Sequence, residues 1–144
     1  MIAVERMTSS SDNALKEINN LLLQLRRDPS EPLGTEQHLS AIISDKNIIF
    51  IAVRDEGKIV GMATAYLAQK FGKKTGFVED VVVDEAYRGQ GLGQKIMEVL
   101  IQEAKNAGAT QLYLTSGPDR VAAQKLYMRL GFKKRETEVF KLAF

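Results

Sequence analysis

Arg88-Gly89-Gln90-Gly91-Leu92-Gly93 places three glycines in five residues directly after an arginine. Before it, Val81, Val82 and Val83 are β-branched and suit a half-buried strand, and Asp84 to Tyr87 make a short turn. After it, Ile96, Val99, Leu100, Ala104 and Ala107 recur at the helical period, and Gly108 stands where a left-handed cap would end the helix. The order is strand, glycine loop, helix N-terminus. The first turn of a helix carries N–H groups without internal partners, and the macrodipole adds partial positive charge there. Glycines let a ligand approach those groups, and Arg88 adds a full charge, so the stretch suits a phosphate or pyrophosphate.

Two better-known phosphate motifs do not fit. A dinucleotide fingerprint needs its third glycine at Gln94 and an acid at the end of the next strand, where Thr115-Ser116 stands instead. A Walker-type loop needs Gly-Lys-Ser/Thr after an earlier glycine, and Gly72-Lys73-Lys74-Thr75 reads as a turn. Other chemistries are excluded by composition. With no cysteine there is no disulfide, cysteine nucleophile or cysteine-rich zinc site, and His38 is the only histidine. No Gly-x-Ser-x-Gly elbow is present. The 20 basic and 18 acidic residues leave a net charge of +2, which does not argue for nucleic acid or an anionic membrane.

The elements that must position the loop can be read in order. Ile2 to Met7 reads as a strand, with cap candidates at Thr8 to Asp12 before an amphipathic helix from Ala14 to Arg26. Asp28 to Gly34 is a loop, and Thr35 opens a second helix to about Ser44. Ile48 to Val53 is a buried strand, Asp55 to Lys58 a hairpin turn, and Ile59 to Ala68 the next strand, where Gly61 marks a close approach. Thr75 to Val83 returns antiparallel, and Gln111 to Thr115 follows the glycine-loop helix as a parallel strand. Val121 to Leu130 reads as a helix capped by Gly131, and Phe132 to Lys134 and Val139 to Phe144 as two final strands. At 144 residues, with 44% hydrophobic content, residues 1–144 make one domain. The apolar run Ile48 to Val53 is too short to span a membrane and the N-terminus has no signal-peptide core, so a cytoplasmic protein is expected.

The glycine loop matches Arg/Gln-x-x-Gly-x-Gly/Ala, and Ala123-x-x-Leu126-Tyr127-x-x-Leu130-Gly131-Phe132 matches a second motif downstream. By these two motifs the chain resembles the GCN5-related N-acetyltransferases (GNAT family), most strongly from Gly76 to Phe132. The resemblance implies an α/β fold of mixed α+β character. Its sheet is mostly antiparallel, with a central parallel, splayed strand pair and helices on both faces. It also implies acetyl-CoA as cosubstrate. The backbone of Val81, Val82 and Val83 would pair with the pantetheine, and the N–H groups of Arg88, Gly89, Gln90, Gly91, Leu92, Gly93 and Gln94 would hold the pyrophosphate.

The same resemblance places Tyr127 at protonation of the departing thiolate; the bland alternative is a core aromatic on the helix face shared with Ala123 and Leu130. Glu79, two residues before Val81 and so expected on the same side, can relay a proton from the amine through water, or simply face solvent. Val-Glu-Asp-Val-Val-Val resembles the same segment of glucosamine-phosphate acetyltransferases. Asp80 is expected on the other face in a structural role, and His38 at the surface. The chain departs from the family at Arg120, where asparagine is common; Arg120 could reach a CoA phosphate, a substrate carboxylate or neither.

The acceptor is expected to be a small-molecule amine or a protein amino group, in a pocket built from Leu33 to Ser44, the turn near Phe71 and Glu136 to Phe140. A non-catalytic CoA-binding module is the alternative from another class. Phe140, Leu142 and Phe144 share one face of the last expected strand, an edge that invites a second chain and hence a homodimer.

Overall fold

The computed structural model describes residues 1–144. The elements are β1 (Ile2–Arg6), α1 (Ala14–Leu25), α2 (Glu36–Ser44), β2 (Ile48–Asp55), β3 (Lys58–Lys70), β4 (Lys73–Val83), a 3-10 turn (Glu85–Tyr87), α3 (Leu92–Asn106), β5 (Gln111–Tyr113) and α4 (Val121–Arg129). The five strands form one sheet in sequence order. Every neighbouring pair is antiparallel except β4–β5, which is parallel.

Local chemistry explains the joints. The β2–β3 hairpin turns on Glu56 and Gly57, both with positive φ, the backbone hand that matches strand twist in a two-residue turn. Thr35 caps α2 reciprocally with His38: the His38 N–H donates to Thr35 Oγ1, and the Thr35 N–H donates to His38 Nδ1, each at 3.2 Å. His38 is thus a capping residue on the surface.

Each sheet face carries its own core. On one, Ile49, Ile51, Val60, Ala63, Ala65 and Val78 pack against Leu92, Ile96, Met97 and Leu100 of α3. On the other, Phe50, Ala52, Ile59, Met62 and Val82 pack against Ala14, Ile18, Leu21 of α1 and Leu39 of α2. A Cβ on Gly61 would lie 3.1 Å from Ile96 Cδ1, so this glycine allows α3 its close approach to the sheet. No helix is long and apolar enough to cross a membrane.

The two expected final strands do not form, and residues beyond Phe132 are irregular. A strand is stabilised by partners on the sheet, and this segment has none. Val139, Phe140, Leu142 and Phe144 are 74%, 92%, 80% and 116% exposed. The parallel pair therefore stands at the sheet edge.

Alternation along β4 also breaks. Thr64 pairs with Glu79, but Met62, two residues earlier, pairs with Val82, three residues later. The extra residue makes a bulge at Asp80–Val81, and Asp80 takes a left-handed φ of +54°. Glu79 and Val82 consequently face the α1/α2 side, while Val81 packs toward α3. The expectation that Glu79 and Val81 share a side is overturned by this one inserted residue.

Candidate active site

The glycine loop adopts the geometry its sequence implies. Gly89 and Gly91 have φ of +80° and +76°, and a Cβ on either would meet nothing within 4 Å. Both positions need glycine for the backbone hand and open onto free space. Gly91 is the N-cap of α3, and the first helical bond runs from Lys95 N–H to the Gly91 carbonyl at 3.2 Å. The N–H groups of Leu92, Gly93 and Gln94 precede it and point out of the helix end. Leu92's side chain is buried in the α3 core, so it offers a ligand backbone alone, and Gln94's side-chain amide donates to Glu98 at 2.9 Å. Gln90 is exposed. Gly93 sits beside Leu126 of α4, 3.4 Å from where its Cβ would lie.

From the loop a gap opens along the sheet. The parallel ladder links Thr75, Gly76 and Phe77 to Gln111, Leu112 and Tyr113, then stops. Beyond it, β4 keeps β3 on one side only, so its edge from Glu79 to Val83 is free of strand partners on the other. Arg88 Nε takes the Val83 carbonyl at 3.1 Å, which fixes the guanidinium at this edge.

Two cavities lie along the gap. The first, about 540 Å³, is lined by Gln24, Arg26, Val82, Val83, Arg88 and Asp119. The second, about 270 Å³, is lined by Val78, Glu79, Asp80, Leu114, Thr115, Ser116, Gly117 and Tyr127. Leu25, Arg27, Val81 and Arg120 belong to both walls. A clasp crosses between them: Arg27 pairs with Asp119 at 2.7 Å, and Arg120 donates to the Leu25 carbonyl at 3.3 Å. It ties the end of α1 to the start of α4. Arg120, a candidate for a CoA phosphate or a substrate carboxylate from sequence, has a backbone partner and a place on the wall of both cavities.

Tyr127 reaches the second cavity while its ring packs edge-on to Phe132, centroids 5.9 Å apart, so the packing and cavity placements hold together. Burial raises its phenol above the ordinary range, opposed by the charge of Arg120. Burial and then Asp80 push the Glu79 carboxyl up. Asp80 is raised by burial and then by Glu31. Burial also raises Tyr66, with added contributions from Asp80 and Glu79. Ser116 Oγ is buried in the cavity wall without a hydrogen-bond partner.

Asp80, expected on the opposite face from Glu79, lines the same cavity with it; the left-handed bulge turns it there. None of residues 33–44, Phe71 or residues 136–140 lines either cavity; the end of α1 and the loops after β5 supply those walls. Tyr66, Glu31 and Arg27 carried no motif in the sequence, and only the adjacency of Glu79 and Asp80 hinted at an acidic site.

Residues 15–132 match the Acetyltransferase (GNAT) family. The chain is similar to a glucosamine 6-phosphate N-acetyltransferase of Trypanosoma brucei brucei, 35% identical over 86 residues covering 58% of this chain and 56% of that protein. It is also similar to glucosamine 6-phosphate N-acetyltransferase 1 of Oryza sativa subsp. japonica, 28% identical over 128 residues covering 83% and 74%. The crystal structure of the glucosamine-6-phosphate N-acetyltransferase of Arabidopsis thaliana superposes with a TM-score of 0.75 at 24% identity, covering 99% of this chain and 98% of that one, a likeness of fold. The chain spans about three fifths of the length of the first curated relatives it matches.

Proposed function

The chain belongs to the acetyltransferase (GNAT) family, and on that premise we propose that it is an acetyl-CoA-dependent N-acetyltransferase, moving the acetyl group to a primary amine by direct attack in a ternary complex. The observation that carries this is the glycine loop at the N-terminus of α3 opening into the gap where β4 and β5 part. The residues fit the cosubstrate. Free N–H groups at Leu92, Gly93 and Gln94, with Arg88 beside them, suit a pyrophosphate. The edge at Val81 to Val83, free of a strand partner on that side, suits an amide-bearing arm, and Arg26 and Arg120 add positive charge to the first cavity.

Each chemical task then falls to a residue of the second cavity. Glu79, its carboxyl raised, accepts the proton of the attacking ammonium through water. The β4 N–H near Val81 polarises the thioester carbonyl. As the new N–C bond forms and the C–S bond breaks, Tyr127 gives its proton to the sulfur and regains one from solvent. A phenol raised by burial is protonated at neutral pH, as that role requires.

The test pairs binding with turnover. Acetyl-CoA at about 100-fold over its Kd should add roughly 2.7 kcal/mol of stability, read as a higher Tm. An amine panel scored by thiol release should show turnover. No shift and no thiol would sink the proposal; a shift without thiol would favour the non-catalytic CoA-binding module. The proposal includes a homodimer: the apolar tail is tethered to β5 by Arg135 on the Tyr113 hydroxyl at 2.7 Å, and β5 keeps a free outer edge. A monomer mass by light scattering at micromolar protein would remove that part.

A further inference from the structure

The first cavity holds a surplus of positive charge with one exception. Arg26, Arg27, Arg88 and Arg120 line it, and Asp119 is the only acid on its wall. Three of the four guanidiniums donate to neutral backbone carbonyls: Arg88 to Val83 at 3.1 Å, Arg120 to Leu25 at 3.3 Å, and Arg26 to Glu31. Their charge is positioned but not cancelled. Only Arg27 has a carboxylate for a partner, Asp119, at 2.7 Å.

That bridge is seated in a defined place yet held weakly. Its two ends lie 92 positions apart in the chain, one just after α1 and one just before α4. A Cβ on Gly117 would lie 2.6 Å from Arg27 Nη2 and 2.7 Å from Asp119 Oδ1. Gly117 has no positive φ, so its small size is what lets the pair rest against the loop. The hydrogen bond from Arg27, helped by the charges of Arg27 and Arg120, holds the Asp119 carboxyl below its ordinary range, so it stays an anion at neutral pH. The two side chains are nevertheless 58% and 67% exposed, and an ion pair that open to water is weak. A phosphate offers a guanidinium a matching pair of oxygens and a stronger bond. Arg27 also lines the second cavity, whereas Asp119 does not, so the guanidinium stands beside the path from the glycine loop to Tyr127.

Resting on the acetyltransferase reading, we infer that Arg27 is a phosphate-binding residue for the acyl-CoA and that Asp119 is the internal anion it leaves. On binding, the guanidinium passes from the Asp119 carboxylate to a phosphate of the cosubstrate. Asp119 thereby lowers the affinity for the cosubstrate, both as a competitor for Arg27 and as a like charge beside the phosphates.

The bridge has two halves, and the inference requires opposite results from them. The probe is CoA, titrated by calorimetry into the whole chain. Arg27→Gln should weaken CoA binding about tenfold. Asp119→Asn should tighten it about threefold at low salt, a gain that shrinks as salt screens the charge. A pair that only ties α1 to α4 requires one sign for both variants, because either one breaks the same bridge. Melting without CoA reads that shared loss: there the two variants should shift Tm in the same direction and by little. Titration with 3′-dephospho-CoA identifies the phosphate. A gain in Asp119→Asn that persists assigns Arg27 to the pyrophosphate, and one that vanishes assigns it to the 3′-phosphate. Arg27→Gln binding CoA as tightly as the parent, or Asp119→Asn binding it no more tightly, would overturn the inference and leave the acetyltransferase reading standing. A parent chain that binds neither CoA nor acetyl-CoA would overturn both.

Discussion

The two cavities share four wall residues, yet they differ in charge and in how the chain builds them. The first is lined by Arg26, Arg27, Arg88 and Arg120 against a single acid, Asp119. The second sets Glu79 and Asp80 against the shared Arg27 and Arg120, with Glu31 acting on Asp80 from the loop after α1. Val81, on both walls, marks where the arginine excess of the first cavity gives way to balanced charge in the second. A ligand with phosphates at one end and an amine to receive at the other would find each group opposite its complement. The contrast also separates fixed from adjustable parts. One end uses backbone N–H groups at a helix terminus, which any side-chain drift leaves intact. The other uses side chains on a bulge and a loop, which substitution can retune.

The comparison breaks most readily at the junction. If Tyr127 is the acid for the departing thiolate, Tyr127→Phe keeps the ring against Phe132 and loses only the hydroxyl. Cofactor affinity and fold should survive while kcat falls about 10²–10⁴-fold where thiolate departure limits the rate. Glu79→Gln should show a defect that shrinks as pH approaches the amine's own pKa, because the amine then deprotonates without help. Full kcat in Tyr127→Phe, with chemistry rate-limiting, would make Tyr127 a packing residue and leave the acidic cavity without its donor.

The basic end can be broken separately, with smaller consequence for the chemistry. Gly91 has a left-handed φ and free space around its missing Cβ. Asn and Asp tolerate that backbone about equally, so a pair of variants isolates charge from strain. Gly91→Asp should weaken acetyl-CoA binding about 100-fold, whereas Gly91→Asn should weaken it far less. The KM for the amine should change in neither variant. Equal affinities for the two variants, measured by calorimetry, would mean that no anion rests on this helix end.

What was legible in the sequence divides along the same line. The glycine loop is contiguous, and its three requirements (backbone hand, close approach, free N–H groups) each select glycine, so it reads directly. The helices and first four strands follow from periodicity, and the Thr35 cap from its position, although not His38's part in it. The acidic end does not read, because it is made by a register shift. One extra residue between Glu79 and Val82 moves Val81 to the α3 face and brings Asp80 into the cavity. Strict alternation predicts the reverse. The failure at residues 133–144 has another cause. Alternating apolar residues make a strand only where they pair with an edge, and residues 133–144 stay unpaired although the outer edge of β5 is open.

The smallest expected effect tests whether the acidic cavity is held at a cost in stability. Asp80 is raised by burial and by Glu31 on its loop, and it adds to the rise of Glu79 on β4 and Tyr66 on β3. A carboxyl raised in the fold binds its proton more tightly folded than unfolded. Stability from that proton is complete below the unfolded pKa and is lost as pH rises through the folded one. At neutral pH the charged Asp80 therefore works against the fold. Asp80→Asn removes that charge at a left-handed position asparagine accepts, so Tm should rise at neutral pH by about 2 °C. As pH falls into the carboxylate range, the parent gains its proton and the difference between the two proteins should close. Glu31→Gln should produce a smaller shift of the same sign, because it relieves Asp80 from a distance. An Asp80→Asn variant that is less stable than the parent at neutral pH would show that the carboxylate is satisfied in the fold. The cavity would then hold that charge at no cost to the fold.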